Sequence, residues 1–394
     1  MSMLYLNQLG IICPLGNSRG EITSRMLEDA RSGIGMTDAY SAGRSLPLGR
    51  VDADLPSLDH LPLRERSRNN RLALAALEQI RPAVDAAIEQ FGHNRVGIVI
   101  GTSTSGIAES EAALRHHSLN ASFPELFHYG QQELGSPAAM LALTLGTTGP
   151  SYVHSSACAS SAKALASAAR LIKMGVCDAV LTGGVDSLCA FTVAGFMALE
   201  SVSATQCNPL SMHRNGINIG EGAALFLMSR EPATVALRGW GESSDGYHMS
   251  APDPTGSGAR LAIENALGRA GISAAQIDYV NLHGTATVQN DAMESRLTHA
   301  LFGEAAAVSS TKPFTGHTLG AAGAIEAGLC WLAMQDGNPA GKLPPHLWDG
   351  AADPGLPVLN LVEPGSSLGR PLRWCLSNSF AFGGANACLV LGRE

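Results

Sequence analysis

The chain has 394 residues, of which 45% are hydrophobic and 15% are charged. That balance is typical of a globular protein with a sizeable core, built as one large domain or two medium ones. The formal net charge of −8 argues against non-specific binding to nucleic acid or to an anionic membrane surface.

The N-terminal segment MSMLYLNQLGIICPLGN has no basic region followed by a long apolar stretch, so we expect no signal peptide. The sequence contains no run of about 18 apolar residues, so we expect no transmembrane helix. The eight cysteines include no CxxC pair, which argues against a zinc site, and a chain of this size does not need disulfides. We therefore expect a cytoplasmic protein without a metal, in which most thiols are small buried hydrophobes.

Short β-branched runs alternate along the chain with longer runs rich in alanine and leucine. In chain order, the predicted strands are RVGIVIG, PSYVHS, AVLTGG, AALFLMS, TVALRGW, YVNLHG, AVSS, WCLSNS and ACLVLG. The predicted helices cover residues 66–90, 158–174, 259–271, 290–302 and 319–335. This alternation predicts an α/β fold in layers.

The chain also contains a coarse internal duplication. Residues 150–184 run as strand, polar loop, helix of small residues and strand, and a similar order recurs around residues 305–335. Both helices are apolar on all sides, which is typical of buried helices. We predict two halves, residues 1–232 and 233–394, whose central helices pack together and neither of which folds alone.

A basic run, RERSRNNR, opens the first predicted long helix. Its arginines are Arg64, Arg66, Arg68 and Arg71. The run is typical of a solvated helix surface, and the functional alternative is a docking site for an acidic protein or a phosphate.

Cys158 lies in SSACASSAKALASAARL, where a predicted strand gives way to a helix. The unpaired N–H groups at a helix start carry partial positive charge, so we expect a lowered thiol pKa and a nucleophilic sulfur. The alternative is a buried structural cysteine, and for the other seven cysteines that interpretation stands.

Two histidines follow in the second half. His283 ends a buried strand and precedes Thr285 and Thr287, whose hydroxyls could bind a polar substrate arm or a phosphate; a structural histidine is the alternative. His317 lies in SSTKPFTGHTLGAAGAIEAG with Lys312 and Glu326. A carboxylate on an apolar helix needs a partner, so we expect a buried Lys312–Glu326 pair that anchors a catalytic loop or serves as a structural ion pair.

The last motif is CLSNSFAFGGANACLVL, in which two glycines follow Phe382. Such a loop can direct an N–H at a developing oxyanion, and Phe382 could act as a gate or as a core aromatic. Together these motifs supply one thiol that can attack a thioester and two imidazoles that can hydrogen-bond a thioester carbonyl. The sequence contains neither a GxGxxG motif after a strand nor a GxxxxGK[ST] motif, so we expect no nucleotide or flavin site.

The order of these motifs resembles the 3-oxoacyl-[acyl-carrier-protein] synthases (beta-ketoacyl synthases) of the type I/II class, within the thiolase-like condensing enzymes. The resemblance extends over nearly the whole chain, from LNQLGIICPLGN to ACLVL. It implies a five-layered αβαβα fold of two duplicated halves, usually a dimer, and no cofactor beyond the phosphopantetheine of acyl carrier protein.

The resemblance also implies residue roles. Cys158 is expected to accept the acyl group, with its own N–H and that of Phe382 as the oxyanion hole. His283 and His317 are expected to bind the malonyl thioester and to assist decarboxylation. Lys312, paired with Glu326, is expected to set the electrostatics of the site.

The remaining implied roles concern substrate binding. Thr285 and Thr287 are expected to contact the phosphopantetheine arm, with Phe380 close to Phe382. FMALES at 196–201 resembles a segment that lines the acyl tunnel. Phe196 and Met197 are therefore candidates for limiting chain length, or simple core residues. Retention of the second histidine and of the cysteine favours an elongating synthase over an initiating enzyme or a chain-length factor.

The segment LSMHRNGINIGEGAA departs from the family pattern FDxxRDGFVxGEGA at Ser211, Asn215 and Ile217, although Gly220 and Glu221 match. These changes favour a secondary-pathway synthase, for example one making aryl polyenes or another polyketide-like product. Partners expected are acyl carrier protein and a second subunit, identical or ketosynthase-like. The alternatives are a malonyl decarboxylase or acyltransferase without condensation, and an inactive partner subunit.

Overall fold

The computed structural model describes residues 3–394. The first half contains β1 (Tyr5–Ile12), α1 (Arg19–Leu27), β2 (Gly35–Thr37), β3 (Leu46–Leu48), α2 (Arg68–Glu78), α3 (Arg81–Phe91), β4 (Val96–Gly101), α4 (Ile107–Asn120), α5 (Ser136–Leu145), β5 (Ser151–His154), α6 (Ser160–Lys173), β6 (Ala179–Asp186), α7 (Ala190–Ala198) and β7 (Gly222–Ser229).

The second half contains β8 (Val235–Ser244), α8 (Ser257–Ala270), β9 (Tyr279–Asn281), α9 (Val288–Phe302), β10 (Ala307–Ser309), α10 (Lys312–Thr315), α11 (Ala322–Ala333), β11 (Asn360–Leu361), β12 (Trp374–Phe380) and β13 (Ala385–Arg393). Short 3₁₀ turns cover Leu63–Glu65, Tyr129–Gln132, Ala274–Gln276, Leu319–Ala321 and Phe382–Gly384.

The two halves share one strand topology. The first has the order β5-β4-β6-β7-β1, in which the first three strands are parallel and the last two pair antiparallel. The second has the order β10-β9-β12-β13-β8 with the same directions, plus the short β11 outside β10. The sheets meet where Tyr5 on β1 pairs with Ala236 on β8. The proposed division after residue 232 falls between β7 and β8.

The core is divided by the sheets into three layers. Along β6, Val180 packs into the layer between the sheets, and its neighbour Leu181 packs against α2, α3 and α5 on the outer side. Along β12, Cys375 lies in the inner layer and Leu376 packs against α8 and α9. Side chains that alternate between two buried surfaces explain why these strands read as continuous apolar runs. The predicted five-layered α/β fold is confirmed.

The central layer is formed by α6 and α11, as the duplication predicted. The helices pack so closely that a Cβ on Gly323 would lie 2.9 Å from the Cβ of Ala162. The hydroxyl of Ser161 accepts a hydrogen bond from the N–H of Ala324 at 2.9 Å. Small residues on both helices therefore set their separation.

The element boundaries correct several predictions. Residues 66–90 form two helices rather than one, because α2 ends at Glu78 and α3 starts at Arg81, with Pro82 in its first turn. The helices α1, α4, α5 and α7 and the strand β1 were not predicted. None of the helices formed by residues 3–394 combines the length and the apolar character that a membrane span requires.

Candidate active site

Cys158 lies in the turn between β5 and α6, two residues before the helix begins at Ser160. The preceding residue, Ala157, has a φ of 46°, an uncommon conformation for a side-chain-bearing residue that makes the turn sharp. The hydroxyl of Ser160 accepts a hydrogen bond from the N–H of Ser156 at 2.8 Å and donates to the carbonyl of Ala157 at 2.6 Å. These contacts hold the cysteine in place.

Two imidazoles from the second half meet this sulfur. His317 lies in the loop after α10, and its Nε2 is 2.9 Å from the Cys158 Sγ. His283 follows β9, and its ring centroid is 5.4 Å from that of His317 at an interplanar angle of 83°. One side-chain nitrogen of each histidine and the sulfur lie within 4.8 Å of one another. The three predicted residues thus form one cluster at the junction of the halves.

Lys312 is buried, and its ammonium group has three polar neighbours. It donates to Oε1 of Glu326 at 2.5 Å and to the carbonyl oxygen of His283, and it lies 3.4 Å from Nδ1 of His283. An ammonium has no acceptor, so Nδ1 of His283 must accept. That assignment leaves Nε2 of His283 as the N–H donor that can reach a substrate. The predicted Lys312–Glu326 contact is therefore present, and the lysine also orients His283.

The same lysine and the burial of the site lower the pKa of both histidines. Burial is the larger cause, and the positive charge of Lys312 acts in the same direction, so the pKa of His283 and of His317 lies well below its usual range. Both imidazoles are accordingly neutral near pH 7. Burial also raises the pKa of Glu326, although Lys312 opposes that shift. The ammonium beside them disfavours a bound cation, and the absence of a metal stays a prediction.

The expected lowering of the Cys158 pKa is wrong for this closed site. Burial raises the pKa of the thiol to about 12, and the charge of Lys312 and the N–H of Phe382 only partly offset it. Cys158 is 5% exposed and lies before the first residue of α6. The cost of desolvating a thiolate there outweighs the stabilisation by the partial positive charge at the helix end. Activation of the thiol must then come from a base in contact, and Nε2 of His317 is in contact.

Phe382 begins the glycine turn between β12 and β13. Gly383 and Gly384 have φ values of 82° and 75°, which favour glycine and let the turn direct the Phe382 N–H at the Cys158 sulfur. The Phe382 ring lies 5.6 Å from the ring of Phe196 on α7. Phe380, the last residue of β12, contacts His283 edge-on with centroids 6.1 Å apart.

The cavity beside the sulfur has a volume of about 50 Å³. That is far below the roughly 300–1,000 Å³ of typical ligand pockets, so the space beside the sulfur is narrow. The predicted substrate-binding residues that line it, together with Ile217, are Phe196, Thr285, Thr287, Phe380 and Phe382. Met197 does not line the cavity and packs with Ile217 and Leu319 in an adjoining apolar cluster. The hydroxyls of Thr285 and Thr287 are 2.8 Å apart.

Two buried carboxylates that the sequence did not reveal hold the histidine loops. Glu294 on α9 accepts hydrogen bonds at 2.7 Å from the N–H groups of both His283 and Gly284. Asp186, at the end of β6, accepts from the N–H of Gly320 in the His317 loop. A lone acidic residue in an apolar strand, as in AVLTGGVD, is the one signal that could have pointed to Asp186.

The four arginines of the basic run contact carboxylates or backbone carbonyls of the chain itself. Arg68 makes a bidentate contact with the buried carboxylate of Glu221, at 2.5 and 2.9 Å. Arg66 and Arg71 donate to backbone carbonyls, and Arg64 contacts Glu65. Glu221 is the residue that matched the family pattern, and its partner explains why the run contains arginine at position 68.

The chain matches the family models of the beta-ketoacyl synthase N-terminal domain, over residues 9–233, and C-terminal domain, over residues 234–347. The 3-oxoacyl-[acyl-carrier-protein] synthase 2 of Staphylococcus aureus is 30% identical over 409 residues, which cover 97% of this chain and 98% of the relative.

Two solved structures are similar over the full length of the chain. One is a ketosynthase (ApeO) in complex with its chain length factor (ApeC) from Xenorhabdus doucetiae; the matching chain is 44% identical, with a TM-score of 0.94, and 98% of it is covered. The other is the ishigamide ketosynthase/chain length factor, at 25% identity and a TM-score of 0.88, with 99% of that chain covered.

Proposed function

This chain belongs to the beta-ketoacyl synthase family of carbon–carbon bond-forming acyltransferases, and we propose that it condenses an acyl group held on Cys158 with malonyl carrier protein. The observation that carries the proposal is the contact of 2.9 Å between the Cys158 sulfur and Nε2 of His317, with a second neutral imidazole beside it. The steps below assign residue roles on that basis.

In the first step the Cys158 thiol gives its proton to Nε2 of His317 while the sulfur attacks the thioester carbonyl of an acyl carrier protein. The N–H groups of Cys158 and Phe382 stabilise the oxyanion. The tetrahedral intermediate then expels the phosphopantetheine thiolate, which takes the proton from His317. The products are acyl-Cys158 and free carrier protein, with both histidines neutral again.

In the second step malonyl carrier protein occupies the site. The thioester carbonyl accepts a hydrogen bond from the Nε2–H of His283, with the neutral His317 ring beside it, and the electron pair of the breaking carbon–carboxylate bond moves into that carbonyl as CO₂ leaves. A neutral imidazole suits this role, because an unprotonated Nδ1 on His283 leaves its Nε2–H free to donate. Lys312 supports His283 in that state without contacting the substrate.

In the third step the enolate carbon attacks the acyl-Cys158 carbonyl. The carbon–sulfur bond breaks, a 3-oxoacyl carrier protein leaves, and the Cys158 thiolate takes up one proton from solvent. The acyl groups travel on phosphopantetheine, so we assign no further cofactor. Thr285 and Thr287 are the proposed contacts of that arm, and Phe382 is the proposed gate, because it lines the narrow cavity beside the sulfur.

We further propose a secondary-pathway substrate, of the aryl polyene or another polyketide type, and a ketosynthase-like partner subunit. Two observations support this proposal: the sequence identity of 44% to a chain from a ketosynthase–chain length factor complex, and the departures from the family pattern at Ser211, Asn215 and Ile217. All eight cysteines are unpaired and buried, which supports a reducing, cytoplasmic setting. The complete Cys–His–His–Lys set favours an active subunit over an inactive partner.

The test is intact-mass measurement after incubation with a panel of acyl carrier-protein thioesters. We expect an acyl adduct on the wild type and none on Cys158→Ala, with Cys177→Ala, which removes a buried thiol elsewhere, still acylated. An adduct on the Cys158→Ala protein would refute the nucleophile. Product analysis after adding malonyl carrier protein separates condensation from bare decarboxylation, which releases CO₂ without a longer chain.

A further inference from the structure

A buried histidine outside the catalytic cluster lies on the segment between α11 and β11. His346 is 3% exposed, and both nitrogens of its ring have backbone partners. Nε2 donates to the carbonyl oxygen of Pro209 at 2.9 Å, because a carbonyl can only accept. Nδ1 therefore carries no proton and accepts from the N–H of Ser310 at 3.1 Å. Burial lowers the pKa of His346 to about 4, so the ring is neutral near pH 7 and keeps this tautomer.

Ser310 links this ring to the residues of the site. It follows β10 directly and precedes Lys312 by two residues. Its hydroxyl donates to the carbonyl oxygen of Gly284 at 2.7 Å and accepts from the N–H of Lys312 at 3.3 Å. Gly284 is the residue after His283, and a Cβ on this glycine would lie 2.5 Å from the Cβ of Ser310. The position of Ser310 therefore sets the position of the His283 turn and of Lys312 together.

The His283 turn is held from two sides. Glu294 accepts from the N–H groups of His283 and Gly284, whereas Ser310 holds the carbonyl group of Gly284. Lys312 lies 3.4 Å from Nδ1 of His283. If Ser310 lost the acceptor of its buried N–H, the unsatisfied donor would cost free energy and favour a shift of this residue. Such a shift would move Gly284 and Lys312 and turn the Nε2–H of His283 away from the substrate.

We propose that His346 is a positioning residue for decarboxylation, because its Nδ1 holds Ser310 and thereby holds the Nε2–H of His283 at the malonyl thioester. The inference rests on the proposed function, in which that N–H donates to the thioester carbonyl. His346 does not line the cavity beside Cys158, so it acts through other residues and not on the substrate itself. A ring that only fastens its own segment to Pro209 is the alternative, and it becomes an outcome of the test.

Two amide side chains each reproduce one half of the ring. The amide oxygen of Asn takes the place of Nδ1 and can accept from Ser310, whereas the amide nitrogen of Gln takes the place of Nε2 and can donate to Pro209. His346→Asn therefore keeps the positioning contact, and His346→Gln loses it. Each variant loses one hydrogen bond, so a purely structural role predicts the same effect for both. His299→Gln, at an exposed ring that contacts the carbonyl of Val358, is the control.

CO₂ release from malonyl carrier protein is the first measurement. We expect His346→Asn to release CO₂ at least about tenfold faster than His346→Gln, because the step depends on the alignment of the His283 N–H. Acylation of Cys158 uses His317 as its base and should be similar in the two variants. His299→Gln should match the wild type in both assays. Equal CO₂ release by the two His346 variants would overturn the inference, and so would equal losses of acylation and CO₂ release in His346→Gln.

Hydrogen–deuterium exchange gives a second readout that needs no substrate. The peptide that contains residues 282–288 should exchange faster in His346→Gln than in His346→Asn, because the turn has lost one of its two supports. The same exchange rate in both variants would overturn the inference. If exchange differs as expected while the wild type neither takes up an acyl group nor releases CO₂, the proposed function fails and the restraint on the His283 turn stands.

Ser310→Ala replaces the first comparison if His346→Gln does not fold. It removes the hydroxyl that holds Gly284 and Lys312 but leaves the N–H that donates to His346. We expect CO₂ release to fall more than acylation of Cys158, and the peptide of residues 282–288 to exchange faster than in the wild type. Wild-type CO₂ release by Ser310→Ala would overturn the inference, because the link from His346 to the site would then carry no alignment.

Discussion

Asp186 in the first half accepts a hydrogen bond from the N–H of Gly320 in the second half, at 2.6 Å between Oδ2 and the nitrogen. The same carboxylate accepts from backbone N–H groups and hydroxyls of residues 102–104, so it is satisfied without a cation. Gly320 is three residues beyond His317. The position of that imidazole relative to the nucleophile therefore depends on a carboxylate at the end of β6.

Asp186→Asn keeps the shape of the side chain but replaces an acceptor oxygen by a donor that faces other donors. We expect a loss of about 1–3 kcal/mol in the free energy of unfolding and slower acylation, because the His317 loop is released. Urea unfolding and the rate of Cys158 acylation measure the two effects. Asp178→Asn, at a partly exposed ion pair, is the control and should change both much less. Unchanged acylation in Asp186→Asn would show that the loop is held by other contacts.

Lys312→Met would leave Glu326 and the carbonyl of His283 buried without a partner. We expect a loss of about 3–5 kcal/mol in stability and a loss of decarboxylation. The double variant Lys312→Met with Glu326→Leu removes both charges and should recover most of the stability. It should not recover decarboxylation, because Nδ1 of His283 still lacks its donor. Release of CO₂ from malonyl carrier protein and urea unfolding test the pair; an active double variant would assign Lys312 a purely structural role.

Glu294 predicts a pH dependence of stability. Burial raises the pKa of this carboxyl from 4.5 to about 7, so the folded chain binds a proton that the unfolded chain has released. The stability that the protonated form contributes is fully present below pH 4.5 and is lost as the pH rises through 7. Between pH 6 and 8 the loss amounts to about 1.4 kcal/mol.

Glu294→Gln removes that titration, so its unfolding free energy should fall less between pH 6 and 8 than that of the wild type. Denaturant unfolding at pH 6, 7 and 8 measures the difference in slope. Equal slopes for both proteins would mean that Glu294 ionises normally. Asp291 titrates nearby, with a pKa raised by burial to about 6, and its charge is one of the causes that raise the pKa of Glu294.

Phe196 and Phe191 lie on the same helix, α7, and differ in their surroundings. Phe196 lines the cavity and contacts Phe382, whereas Phe191 is 66% exposed. We expect Phe196→Ala to accept longer acyl chains on Cys158, because it removes a ring from the proposed tunnel. Phe191→Ala should leave the acceptance profile unchanged. Intact-mass measurement of the acyl adducts formed with a series of acyl-chain lengths tests this prediction. Identical profiles for the two variants would exclude Phe196 as a limit on chain length.

The fold could be predicted where the sequence pattern has one physical cause. The strands buried on both sides, such as β4 and β6, appear as apolar runs, and the central helices appear as runs of small and apolar residues with few charges. The strand β1 was missed because Asn7 and Gln8 interrupt its apolar run. Helix α4 was missed because its polar residues surround few buried ones, Ser110 and Ala113.

The site residues could be found because each motif carries its own reactive group. Their electrostatics could not, because the pKa of Cys158 depends on burial by segments far away in the chain. Asp186 shows the same limit: its partner Gly320 is 134 residues away, and no local pattern links them. Met197 was a candidate because FMALES resembles a tunnel-lining segment, yet neighbouring residues on a helix point about 100° apart, and of these two residues only Phe196 lines the cavity.

The contact of Gly323 with Ala162 has a consequence for how such an enzyme can change over time. With hydrogen as the side chain, neither helix can approach further, and any larger residue at 323 would push the nucleophile's helix away from the imidazoles. Side-chain volume can therefore vary more readily at the proposed gate and tunnel wall than at position 323, where it would alter the distance between the Cys158 sulfur and Nε2 of His317.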